Sequence, residues 1–83
     1  MGETIILYSS QECIRCRLVK QMLNTHNVQY TEVNDKRIMI DKDIEEVPAL
    51  EINKKIMDYA EILTWLQQNN YYSLWGENEN ASN

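Results

Sequence analysis

Between Thr4 and Tyr8 the chain is β-branched and almost continuously apolar, the pattern of a strand covered on both faces of a sheet. A polar connection, Ser9-Ser10-Gln11-Glu12, follows. Beyond it Ile14, Leu18, Val19, Met22 and Leu23 recur at three- and four-residue spacing as far as His26-Asn27, which predicts a first helix with an Asn stop. Val28 to Val33 alternates apolar and polar positions around Tyr30 and reads as a second strand, so the opening is β-α-β with a crossover long enough for parallel pairing. Asn34-Asp35 caps a short second helix through about Asp43, setting some of Ile38, Met39, Ile40 and Ile44 against the sheet. Ala49 to Ile52 and Lys55 to Met57 flank Asn53-Lys54 and predict an antiparallel hairpin. In that turn Asn tolerates positive φ, while Lys is a poor second residue. Tyr59, Ile62, Leu63 and Leu66 then form an apolar helical stripe, introduced by the capping-box spacing Asp58-x-x-Glu61 and running to about Asn69. The expected architecture is α/β, in order β-α-β-α-β-β-α, with a four-stranded mixed sheet and the first helix over one face.

After the last helix, Tyr71, Tyr72, Leu74 and Trp75 are expected to pack under the sheet edge, the alternative being an exposed partner patch. The domain is therefore placed at residues 1–75, and the Asn-rich stretch 76–83 is expected to be a flexible polar tail. With 83 residues the chain has room for one core. Its net charge of -5 offers no basic stripe for phosphates and argues against nucleic acid. No apolar run approaches a membrane span, and Met-Gly-Glu-Thr at the start is not a secretory n-region. A cytoplasmic monomer is expected, and Asn80-Ala81-Ser82 is then a chance sequon.

The chemistry-bearing motif is Cys13-Ile14-Arg15-Cys16, the chain's two cysteines, placed where the first strand gives way to the first helix. There Cys13 meets unpaired backbone N–H groups and the positive end of the helix dipole, which favour thiolate over thiol. Arg15 and Arg17 add positive charge; Glu12, Glu45 and Glu46 act against it wherever they approach. Cys16, one turn on, is placed to attack a mixed disulfide on Cys13. A zinc site needs about four ligands, and beyond the two thiols the chain offers only a lone His26 at the far end of the helix. Dithiol exchange is favoured over a metal site and over an inert buried pair.

Ile6-Leu7-Tyr8-Ser9, then Cys13-x-x-Cys16, then Val47-Pro48 before a hairpin, resembles the glutaredoxins and NrdH-type redoxins across about Thr4 to Leu66. The resemblance implies a thioredoxin-like (glutaredoxin-type) fold with a cis Pro48 beside the cysteines. It also implies that Val47 and Pro48 line the site and that the backbone before the proline bonds a substrate chain. It implies a dithiol-disulfide oxidoreductase and electron carrier with no bound cofactor. The external reductant would be glutathione or a flavoprotein reductase, and the partner a disulfide-bearing protein such as ribonucleotide reductase. Where glutaredoxins carry Gly-Gly, an aromatic and Asp to hold glutathione, this chain reads Met57-Asp58-Tyr59-Ala60-Glu61. Asp58 as N-cap would occupy the N–H groups a glutathione carboxylate needs and would repel it, although Arg15 or Arg17 offers a carboxylate grip. The departure tilts the expectation toward a protein reductant. Two rival readings remain: a metal or iron–sulfur-binding redoxin-fold protein, and a non-catalytic interaction module docking through the Trp75 region.

Overall fold

The structure, a computed structural model, describes residues 3–72. β1 (Ile5–Tyr8) is one of the two inner strands of the sheet. It pairs in parallel with β2 (Thr31–Val33), from Ile6 opposite Thr31 to Tyr8 opposite Val33. On its other side it runs antiparallel to β3 (Ala49–Ile52), from Ile5 opposite Ile52 to Tyr8 opposite Ala49. β4 (Lys55–Met57) completes a mixed sheet of order β2-β1-β3-β4. The element order is the one the hydrophobic pattern predicts.

Two boundaries differ. The alternation predicts a second strand from Val28, but its ladder opens only at Thr31, opposite Ile6 of β1. The Val28 N–H is instead spent on Leu23 O at 2.9 Å, closing the end of α1 (Ile14–Thr25). Asn27 takes φ 57° there, so the Asn stop works as a left-handed helix end. The second helix, expected through about Asp43, stops at Asp41: in α2 (Lys36–Asp41) Asp35 accepts the Arg37 N–H, and left-handed Asp43 turns Ile44 N–H back onto Met39 O at 2.8 Å. Of its four apolar candidates only Met39 is buried. Ile44 is half-buried, and Ile38 and Ile40 are exposed.

The hairpin turn sits at Asn53-Lys54 with φ of 51° and 72°, the double positive-φ geometry whose twist matches the flanking strands. α3 (Tyr59–Gln68) opens on a complete capping box: Glu61 N–H donates to Asp58 Oδ1 at 2.9 Å and Asp58 N–H to Glu61 Oε1 at 3.0 Å.

Strand alternation divides the core. Ile5, Leu7, Leu50 and Met57 face Val19, Met22 and Leu23 of α1 and Ile62 and Leu66 of α3. Each such side chain contributes about 1.5–3 kcal/mol by leaving water. The opposite face carries Tyr8 and Ala49 under Met39, Ile44 and Val47. Glu51 is also buried on that face, where Tyr8 donates its hydroxyl to Oε1 at 2.6 Å and Lys42 Nζ lies 3.3 Å from the same oxygen. The hydrogen bond and Lys42 hold the Glu51 carboxyl below its ordinary range, while burial and the Glu51 charge push Tyr8 up to about 12.

Tyr71 packs against the larger core, its ring 5.6 Å from Trp65 and 5.4 Å from His26, whereas Tyr72 is exposed. Leu74, Trp75, the sequon and the stretch 76–83 lie outside the described residues. Among those described, no helix is long and apolar enough to cross a membrane.

Candidate active site

The loop leading to the cysteines is pinned where it leaves β1. Ser9 is fully buried, its N–H on Val33 O at 3.0 Å and its hydroxyl donating to the Glu32 carboxylate. Asn34 Nδ2 donates to Ser9 O at 3.2 Å and to Ser9 Oγ at 2.9 Å, and Lys20 reaches Glu32 at 3.0 Å. These donors, the Ser9 hydroxyl first and Lys20 next, hold Glu32 below the usual carboxylate range. The network joins β1, β2 and α1 directly beneath the site.

Cys13 is the N-cap of α1, in extended conformation at φ -130° and ψ 107°. It is joined to Cys16 as a disulfide with the Cα atoms 5.2 Å apart. Burial separates the two: Cys16 is 0% exposed, while Cys13 is only half-buried. The Cys16 N–H donates to Cys13 Sγ at 3.1 Å, and Arg17 N–H to Cys13 O at 3.2 Å. One of the helix's orphan donors therefore already points at the sulfur, and on reduction it and the dipole would favour a thiolate there.

Val47 O lies 3.9 Å from Cys13 Sγ. A disulfide sulfur carries no hydrogen, so this is a contact in the oxidised form; a Cys13 thiol would have the carbonyl as an acceptor. The Val47–Pro48 peptide is cis, and Pro48 is fully buried. Cys13, Cys16, Val47 and Pro48 thus come together at one place.

Arg15 and Asp58 stand at the start of α3. The Arg15 guanidinium lies 4.9 Å over the Tyr59 ring, a cation–π contact that ties the helix-opening turn of α1 to the residue after Asp58. Asp58 itself is engaged as the cap of α3. Between the cysteines, Ile14 stands 74% exposed. The sequence pattern placed Tyr59 in the core stripe and gave no sign of its role under Arg15, since nothing local links positions 15 and 59. In the sequence Ser9 belongs to a polar connection, and its place directly after a buried strand is the one signal of its anchoring role. His26 caps the far end of α1, and its Nε2 is buried without a partner among the described residues. Among those residues no group of three or more His, Cys, Asp or Glu stands together to hold a metal ion.

No protein-family model and no curated protein matches the chain. Among solved structures, the crystal structure of a mutant of a thioredoxin-like protein superposes with a TM-score of 0.67 at 27% identity, covering 82% of this chain and 96% of that one. The fold is thioredoxin-like. On that fold the Cys13-x-x-Cys16 spacing is consistent with an oxidoreductase and points to thiol–disulfide redox chemistry.

Proposed function

We propose that this chain is a glutaredoxin-like thiol–disulfide oxidoreductase that reduces protein disulfides. The observation that carries the reading is the unequal pair at the head of α1: a half-buried Cys13 sulfur receiving a helix N–H, and a fully buried Cys16 one turn behind it. An attacking thiolate must reach its substrate, whereas a resolving thiol needs only to reach Cys13. In the reaction Cys13 thiolate attacks a substrate disulfide, the Cys13–substrate S–S bond forms, and the first substrate thiolate leaves and takes up a proton. Cys16, as thiolate, then attacks Cys13 Sγ, which forms the intramolecular disulfide and releases the second substrate thiol. Two electrons pass from the dithiol to the substrate, and an external reductant returns them.

Val47 O, beside Cys13, is the backbone group offered to a bound substrate chain, with Pro48 fixing that segment. Arg15, held on Tyr59, keeps a positive charge on the site's border. For the reductant, a flavoprotein reductase is favoured over glutathione. Asp58 already accepts the Glu61 N–H, a donor that a glutathione carboxylate would need, and its charge opposes that carboxylate. Ribonucleotide reductase and other cytoplasmic disulfide proteins are the substrates the family resemblance offers.

The test is reduction of a protein disulfide and of a glutathione mixed disulfide, each coupled to glutathione with its reductase and to thioredoxin reductase. Turnover of the protein disulfide with the flavoprotein is expected. Turnover with glutathione alone would make the reductant glutathione, and no turnover with either would overturn the reading.

A further inference from the structure

Next to the dithiol a second feature is left without a role: a groove of about 270 Å³ on the α2-side face of the sheet, at its β4 edge. Its apolar floor is formed by Ile44, Ala49 and Ile56, and Ile56 is exposed into it. Glu46 and Ala49, which line it, bracket Val47–Pro48, so a chain crossing Val47 beside Cys13 and running toward β4 enters the groove. The volume admits one or two side chains, less than a typical small-molecule site.

The rim has one sign. Asp43, Glu45, Glu46, Asp58 and Glu61 all line the groove, and among the described residues no Lys or Arg does. Among the described residues none of the five forms an ion pair, the nearby Lys42 being engaged by Glu51. An apolar floor under unneutralised carboxylates suits Lys and Arg side chains, whose methylene stems bury on apolar surface while their charged heads stay at the rim. It repels glutathione, which carries a net negative charge, and acidic peptides.

We propose that this groove docks a basic stretch of substrate polypeptide, with Lys or Arg within a few residues of the disulfide cysteine, so that the redoxin selects cationic disulfide segments. The proposal rests on the dithiol reading and adds the substrate class. No new chemical step is involved: the docked segment's disulfide accepts the two electrons of Cys13 and Cys16 as above.

Two measurements separate the docking from the chemistry. Reduced protein is mixed with either of two disulfide-linked peptide dimers, one flanking its Cys with Lys and Arg and the other with Glu, and oxidation of the dithiol is followed in a single turnover. At low salt the basic dimer is expected to react about tenfold faster, with the difference shrinking at about 1 M salt. Glu45→Gln/Glu46→Gln should narrow it several-fold, whereas Glu3→Gln, at the other end of β1, should not. In parallel, versions of the two peptides with Ser in place of Cys are titrated into labelled protein, and the amide shifts at Glu45, Glu46, Ala49 and Ile56 are followed. Shifts there with the basic peptide alone are expected. Equal rates, a preference that survives Glu45→Gln/Glu46→Gln, or shifts confined elsewhere would overturn the proposal. If neither dimer oxidises the protein, the dithiol reading fails, and the shifts still decide the docking because they involve no exchange.

Discussion

The Cys16 N–H points at Cys13 Sγ from 3.1 Å, one turn into α1. On reduction, the Cys16 backbone would therefore favour negative charge on Cys13 Sγ, the sulfur proposed to attack. Dipole and hydrogen bond are both fixed by the fold, so they act whichever substrate approaches.

The fully reduced protein should accordingly hold Cys13 more acidic than Cys16. Alkylation followed against pH should label Cys13 first and at neutral pH, while Cys16 reacts slowly because it is buried. Arg15→Glu, which reverses the charge over Tyr59, should move the Cys13 alkylation profile to higher pH. An unmoved profile would show that the guanidinium is spent on Tyr59 alone.

Asp58 holds two separable properties, its cap and its charge. Asp58→Ala removes the acceptor for Glu61 N–H and should cost about 1 kcal/mol, or roughly 4–8 °C in Tm for a domain this small. Asp58→Asn keeps a good cap and removes the charge, so its Tm should stay near the parent's while any coupling to glutathione rises. Thermal melts and the glutathione-coupled assay read these two effects independently.

Stability should fall at both pH extremes through one buried pair. Glu51 has its carboxyl held low by the Tyr8 hydrogen bond, then by Lys42, so its contribution is present above the unfolded carboxylate's pKa and is lost as pH falls through the lower folded value. Tyr8 is pushed up to about 12, so in the alkaline range the unfolded chain releases its proton first. Its contribution is complete below about pH 10 and declines as pH rises toward the folded value. Tyr8→Phe should leave Glu51 with its lysine neighbours, Lys42 first, cost about 1–3 kcal/mol and remove the late-titrating tyrosinate from the absorbance titration.

The hairpin turn gives a stabilising change. Lys54 is left-handed at φ 72°, where Gly carries no Cβ penalty, and Lys54→Gly should raise Tm by a few degrees, the gain limited to about 1 kcal/mol by the extra freedom of Gly in the unfolded chain. Thermal melts of the two proteins check it.

The sequence made the elements legible where periodicity and caps agree. α1 and its Asn27 stop, the Asn53-Lys54 hairpin and the Asp58–Glu61 box all lie where their local signals put them. The early part of the second strand did not, because alternation at Val28 and Tyr30 reflects packing onto the α1-side core, and the Val28 N–H is taken by Leu23 O at the end of α1. At the site, the cysteine spacing and its position after an apolar strand were readable as chemistry. The contacts that build the surroundings join residues far apart in sequence: Arg15 with Tyr59, Ser9 with Glu32 and Asn34, and Cys13 with Val47. Only the last was within reach, through the resemblance around Val47-Pro48.

The most direct test of the central claim is to trap the exchange. Reduced Cys16→Ser and Cys13→Ser are each incubated with a disulfide-bearing protein, and intact masses are measured without added reductant. Cys16→Ser should accumulate a mixed disulfide on Cys13, and Cys13→Ser should give none, because the remaining thiol is buried. A mixed disulfide on Cys16 in Cys13→Ser, or none in either variant, would contradict the assignment of Cys13 as the attacking thiolate.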